Sequence, residues 1–239
     1  MSTTLEKALQ LVELVSDGDL SLQELCQASG FSRSTTHRLA ASLVKYRYLE
    51  SKEQRYSLGY RLLELGEKKK ASLRFTKVAK PIAHNYCERT GETVHIAVLD
   101  GSYSVIVDRI VGSRQLQVNA YIGQRTPAYM TGVGKAMIAS QPEHEWLYFL
   151  SGIGRRERAR LLIEFSDIKE RGYALDLEES ASGVACVATT VYSPSGQAIA
   201  GVSFNGAIAY LTPERLVELA PTIRGCAREI EKAMAASGT

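Results

Sequence analysis

Arg33, Ser34, Thr35, Thr36, His37 and Arg38 crowd the start of a helical pattern, directly after Gly30 and Ser32. These side chains suit contact with nucleic acid. Arginine pairs bidentately with guanine, threonine meets phosphate or a thymine methyl, and a helix N-terminus attracts phosphate. Arg33 and Thr36 are the favoured readers of bases or adjacent backbone, and Arg38 suits the sugar-phosphate chain. A helix capped by Ser32 with a polar outer face would explain the hydroxyls. It does not explain Arg33, His37 and Arg38 at positions i, i+4 and i+5. Lys52, Gln54 and Arg55 form a second polar group at the tip of an expected hairpin, placed for phosphate or minor-groove contact.

Charge supports this placement better than the total does. The formal net charge is only +3 over 239 residues. Residues 1–30 carry a net −4 and residues 31–61 a net +5, so basic charge gathers where the reading helix and hairpin lie. Other chemistries find little. The four cysteines, Cys26, Cys87, Cys186 and Cys226, are far apart and form no C-x-x-C pair, which suggests neither a zinc site nor a disulfide framework. Cysteine and histidine show no nucleophile–base spacing, so no catalytic residue and no cofactor are expected. Thr131-Gly-Val-Gly-Lys-Ala136 has a faint likeness to a P-loop but fails its spacing, with Tyr129 where glycine is needed and Ala136 in place of Ser or Thr. No apolar run approaches a membrane span and the start shows no apolar leader, so a cytoplasmic protein is expected.

The elements that must hold these residues follow from periodicity. Leu5, Ala8, Leu9, Val12 and Val15 predict a first amphipathic helix. Ser21 and Glu24 read as the capping box of a short second helix faced by Leu22, Leu25 and Cys26. A third helix is expected over 32–46, with Leu39, Ala40, Leu43 and Val44 buried. Residues 48–58 read as a hairpin, completing a winged helix-turn-helix. A linker helix follows from Tyr60, and a long helix is expected over 71–89, kinked or broken at Pro81. Strands are expected at 93–99, 104–110, 115–120, 184–192 and 197–205, the last two around Ser193-Pro-Ser-Gly196. Helices are expected at 132–140, 143–150, 155–171 and after Thr212. The fold class is α+β, with an antiparallel sheet in the second domain.

The chain resembles the IclR-type bacterial transcription regulators over nearly its full length. The resemblance rests on Leu5-Glu-Lys-Ala-Leu9, Gly30-Phe-Ser-Arg-Ser-Thr-Thr-His-Arg-Leu39, Tyr56-Ser-Leu-Gly59 and Thr90-Gly-Glu-Thr93. It continues through Thr131-Gly-Val-Gly-Lys-Ala136, Arg171-Gly-Tyr-Ala-Leu-Asp176 and Glu178-Glu-Ser-Ala-Ser-Gly-Val-Ala-Cys-Val-Ala188. Each is weak alone, and their order and spacing are specific. The chain departs from the family pattern at Ser32, Tyr129-Met130, Thr190 and Asn205, all but the first expected around a pocket.

The resemblance implies a winged helix-turn-helix over 1–60, a linker helix over 61–74 and a GAF-like effector-binding domain over 75–239. It implies a regulator, repressor or activator, that binds an operator in double-stranded DNA as a homodimer or a homotetramer built as a dimer of dimers. It also implies a small effector, an anionic organic acid or an aromatic catabolite, held by Gly132, Val133, Asp176, Cys186, Ser203 and Asn205. Val118, Thr126, Met130 and Val184 are expected as apolar walls. Ser203 and Asn205 alternate along a strand, so their side chains can converge. The backbone amides of 131–134 suit a carboxylate. Asp176 can equally brace a turn, Cys186 suits core packing and His95 a structural role. Two alternatives are a regulator whose second domain serves only oligomerisation and, more remotely, a metabolite-binding enzyme.

Overall fold

The computed structural model describes residues 3–237. The chain divides into two compact units between Ser72 and Leu73.

The first unit holds helices α1 (Thr4–Ser16), α2 (Leu22–Ser29), α3 (Arg33–Lys45) and α4 (Tyr60–Ser72). Its strands are β1 (Leu20–Ser21), β2 (Leu49–Lys52) and β3 (Arg55–Leu58), in the antiparallel order β1-β3-β2. Ser21 and Glu24 form the expected capping box, and Thr3 and Glu6 form another at α1. Leu11, Val15, Leu25, Leu39, Ala40 and Leu49 make the core. Leu5 and Leu9, expected on the buried face of α1, are instead exposed, at 69% and 54%. Leu11 and Val15, four residues apart, set the buried stripe, and Leu5 and Leu9 fall off it. The two-residue strand β1 had no pattern of its own; pairing with β3 creates it.

The second unit begins with α5 (Arg74–Thr90). The long helix expected over 71–89 is therefore interrupted at Leu73, whose ψ of 74° is not helical. Pro81 does not break α5, which runs through it. Strands β4 (Thr93–Asp100), β5 (Tyr103–Ile110) and β6 (Arg125–Pro127) follow. Helices α6 (Gly132–Ala139), α7 (Trp146–Phe149) and α8 (Arg155–Arg171) come next. Strands β7 (Ala174–Leu177), β8 (Val184–Tyr192) and β9 (Ala198–Ala207) and helix α9 (Pro213–Ser237) complete it. The six-stranded antiparallel sheet has the order β6-β5-β4-β9-β8-β7.

Alternation along the central strands sends residues to two different layers. Val94, Ile96, Val202 and Phe204 pack with α5 and α9 in the main core. Ala97 and Ala188 face the other way and pack with Val133 and Met137 of α6. Outside α6, Trp146 stacks edge-on against Phe165 of α8 with centroids 5.7 Å apart.

The strand expected at 115–120 is absent, and 111–124 forms a loop. Side chains meet its backbone in place of a ladder. Arg109 Nη2 donates to Val118 O at 2.9 Å, and Gln117 Nε2 donates to the Gly112 carbonyl at 3.1 Å and to that of Arg114. No helix among the described residues is long and apolar enough to cross a membrane.

Candidate nucleic-acid interface and ligand cavity

In α3, Ser32 caps the helix, its Oγ accepting from Thr35 N at 3.3 Å and donating to Thr35 Oγ1 at 2.9 Å. Arg33, Ser34, His37 and Arg38 are exposed, Thr35 is half-buried and Thr36 is wholly buried. Arg33 and His37, and Ser34 and Arg38, are i,i+4 pairs, so the four side chains share one outer face at the helix start. Thr36 does not belong to that face, against expectation. It lies three and four residues before Leu39 and Ala40, and its Oγ1 donates back to Ser32 O at 3.1 Å. It is a core residue.

The wing turns at Glu53 and Gln54, both in the left-handed region with φ of 51° and 61°. Such a two-residue turn matches the twist of a tight hairpin. Lys52 and Gln54 are exposed. Arg55 departs from expectation. Its Nη2 donates to Asp19 O at 2.5 Å and lies 3.3 Å from Glu24 Oε2, fastening the wing strand to the start of α2. Glu24 is held below the usual carboxylate range by the Ser21 backbone and side-chain hydrogen bonds, with Arg55 adding to them.

A cavity of about 460 Å³ lies over the second unit's sheet, on the face that carries α6. Strand register builds its floor. His95 of β4 and Ser203 of β9 are cross-strand neighbours in that floor, and Arg109 of β5 and Ala188 of β8 continue their row outside the lining. The next row on the same face runs Thr93, Asn205, Cys186 and Asp176. Asn205 Nδ2 donates to Ser203 Oγ at 2.9 Å, so the two expected floor residues are coupled. Val118 and Val184 line the cavity with Asp176, Cys186, Ser203 and Asn205, as does Thr126. Met130 does not; Thr131 lines it in its place. Thr190, expected near this pocket, borders a separate cleft beside α9 instead.

The N-terminus of α6 opens onto the cavity through Gly132 and Val133. Thr131 Oγ1 accepts from Gly134 N at 3.0 Å and sits 3.0 Å from Ser104 Oγ. Glycine at 132 is a steric need. A Cβ there would come within 2.5 Å of Cys186 Sγ. Burial pushes the Cys186 thiol well above its ordinary range, with Asp176 adding to this, so it is no nucleophile at neutral pH.

Asp176 lines the cavity, yet its oxygens are taken. Oδ1 accepts from the amides of Glu179 and Ser180 at 2.9 and 3.3 Å, and Oδ2 from Ser180 Oγ at 2.6 Å. It braces the loop of residues 178–183, whose Ser180–Gly183 stretch also lines the cavity. Lys135, fully buried on α6, holds the same loop through Glu179 and binds Glu164 of α8 at 2.6 Å. Arg160 completes the cluster at 2.7 Å from Glu157 and 2.9 Å from Glu164.

His95 emerges as a cavity residue rather than a purely structural one. Burial, helped by the positive charge of Arg109, lowers its pKa to about 4, so the ring is neutral at pH 7. Alternation was the signal that could have found it: His95 sits two residues before Ala97 on a strand that also presents Val94 and Ile96 to the core. Ser104 carried the same signal: its partner Leu99, and the next pair Ala97 and Ile106, lie on the β4 face that presents His95. Arg114 and Arg125 pair with Glu92 at 2.8 Å and Asp100 at 3.4 Å.

Comparison with known proteins agrees with both halves of this picture. Residues 4–53 match the IclR helix-turn-helix domain, and residues 69–232 match the bacterial transcriptional regulator IclR C-terminal domain. The transcriptional repressor IclR of Escherichia coli K12 is 28% identical, covering 95% of this chain and 88% of that protein. The crystal structure of the Thermotoga maritima IclR superposes with a TM-score of 0.77 at 28% identity, over 96% of this chain and 97% of that one. An IclR homologue from Microbacterium hydrocarbonoxydans, complexed with 4-hydroxybenzoate, shares the fold with a TM-score of 0.82 at 20% identity, over 98% and 100% of the chains. The chain therefore belongs to the IclR family of bacterial transcriptional regulators, with a DNA-binding helix-turn-helix domain and an effector-binding C-terminal domain.

Proposed function

We propose that this regulator binds an operator as a homodimer or dimer of dimers in the cytoplasm, and that a small organic acid in the cavity sets its operator affinity. Arg33, Ser34, His37 and Arg38 would enter the major groove, with Lys52 and Gln54 against the backbone or minor groove. Thr35 adds a hydroxyl at the helix start. Repression or activation follows from where the operator lies against the promoter. The domain division carries this reading as a DNA-binding unit to about residue 60, a linker helix and an effector unit from about residue 75.

The observation that carries the effector reading is the cavity's composition. A helix N-terminus and the hydroxyls of Ser104 and Thr131 meet in it, beside apolar walls of Val118, Val133 and Val184. Exposed Leu5, Leu9, Tyr60 and Leu63 on α1 and α4 support self-association of the first unit. The 4-hydroxybenzoate complex of the Microbacterium homologue makes that acid the first probe.

The test selects operators from randomised duplexes and measures affinity at several salt concentrations. A defined, two-fold symmetric site bound well above shuffled DNA is expected. Equal binding to all sequences at every salt would refute the regulator reading.

A further inference from the structure

We propose that His95 is the specificity-determining residue of the cavity, and that it selects a monocarboxylic acid bearing an uncharged hydroxyl or oxo group over a dicarboxylic acid. This rests on the reading of the cavity as an acid-binding effector site. The cavity's charge is the first support. Among the described residues, no lysine or arginine lines it, and the one charged side chain that does is the carboxylate of Asp176. One ligand carboxylate can be met by the N-terminal dipole of α6 and the paired hydroxyls of Ser104 and Thr131. A second would enter a desolvated floor without a lining cation and with Asp176 nearby, which is costly.

The second support is an orphaned atom. His95 is 6% exposed, and its Nε2 has no hydrogen-bond partner among the described residues. A buried polar atom of this kind calls for a partner, and the cavity it lines is where one can arrive. The ring is flanked across the sheet by Ser203 and Arg109. Arg109 also has an unpartnered Nε, but it lies outside the cavity lining, and its Nη2 donates to Val118 O in the loop wall. Burial keeps the imidazole neutral, so it exchanges a hydrogen bond with an uncharged oxygen and offers no compensating charge to an anion. Ser203 and Asn205 already bond each other beside it. His95 Nε2 is therefore the group whose satisfaction distinguishes one acid from another.

Two matched series test this in the full-length protein by calorimetry: benzoate, 4-hydroxybenzoate and terephthalate, then butyrate, 4-hydroxybutyrate and succinate. In the series that binds, the hydroxy acid should bind roughly tenfold tighter than the unsubstituted acid, as one buried hydrogen bond provides. The dicarboxylate should bind weakest. His95→Leu should erase the hydroxy preference, and His95→Gln, which keeps a neutral polar group, should retain part of it. Should the leucine variant fail to fold, the wild-type ranking stands as a test, as does the imidazole ¹⁵N signal of His95. That signal should move on adding the hydroxy acid and stay put with the unsubstituted one. A dicarboxylate that binds tightest, or a hydroxy preference that survives His95→Leu, overturns the assignment while leaving the acid-binding cavity intact. Absence of binding by all six acids overturns the acid-binding reading itself, and this inference with it.

Discussion

Gly132→Ala tests the close seating of α6 on β8, on which the cavity depends. A Cβ at 132 would lie 2.5 Å from Cys186 Sγ, 3.4 Å from Ala188 Cβ and 3.6 Å from Asp176 Cβ. The last two distances need little adjustment. The first intrudes by on the order of 1 Å, since heavy atoms settle roughly 3.5–4.0 Å apart. Cys186 is 4% exposed and has a single side-chain torsion, so the sulfur cannot swing clear. Overpacking of this kind costs about 1–3 kcal/mol. Cys186→Ala alone forfeits about 1 kcal/mol of burial, judged from a group of roughly methylene size. It also vacates the space the new methyl needs. The double variant should therefore be less destabilised than the sum of the singles by about 1–2 kcal/mol. Urea unfolding of the four proteins measures this, with equal m-values as the check on two-state behaviour. Additivity within about 0.5 kcal/mol would refute the contact argument, as would a Gly132→Ala variant as stable as the parent.

Three further outcomes follow from the geometry. Arg33→Ala should relax base preference at one operator position by about 1–3 kcal/mol, whereas Thr36→Val should leave preference unchanged; selection on randomised duplexes checks both, and the reverse pattern would return Thr36 to the reading face. Lys135→Met strands Glu164 and Glu179 around a lost buried cation and should cost roughly 3 kcal/mol, partly recovered by adding Glu179→Gln; a thermal-melt loss below about 1 kcal/mol would contradict the role of the cluster. His95 binds a proton in the unfolded chain near pH 6.5 but in the folded one only near pH 4, so stability falls as pH drops through that window and is fully regained above it. The parent should lose up to about 3 kcal/mol more than His95→Gln between those limits, and parallel pH profiles would remove the buried neutral imidazole.

Periodicity and turn chemistry made most of the fold legible. Ser21 and Glu24 announced α2, Ser193-Pro-Ser-Gly196 announced the β8–β9 hairpin, and Val/Ile-rich stretches bounded by turns announced β4 and β5. Short pieces that exist only through pairing were silent: β1 and β7 are strands because β3 and β8 lie beside them. Residues 115–120 carried a strand-like pattern that side-chain bonds from Arg109 and Gln117 to the backbone overrode. In the reading helix, residue type pointed to Thr36, but phase decides burial, and Thr36 is in phase with Leu39 and Ala40. Arg55 looked free in sequence because Glu24 and Asp19 are distant in the chain and near in space. For the cavity, Ser203 and Asn205 came from the family resemblance, and strand alternation added only that they share one face. The place of His95 on the cavity face was open to alternation, but its unpartnered nitrogen is a property of three-dimensional surroundings that residue identity does not disclose.

The most direct test of the central account measures operator affinity by fluorescence anisotropy. It compares the protein free and saturated with whichever acid calorimetry places in the cavity, for the wild type and for Gly132→Ala. Coupling between the sites predicts a 5- to 150-fold change in operator affinity for the wild type, the size typical of roughly 1–3 kcal/mol of linkage. At the same acid concentration, the variant should respond less, in proportion to its weakened acid binding. An operator affinity that stays constant while the wild-type cavity fills would contradict the account.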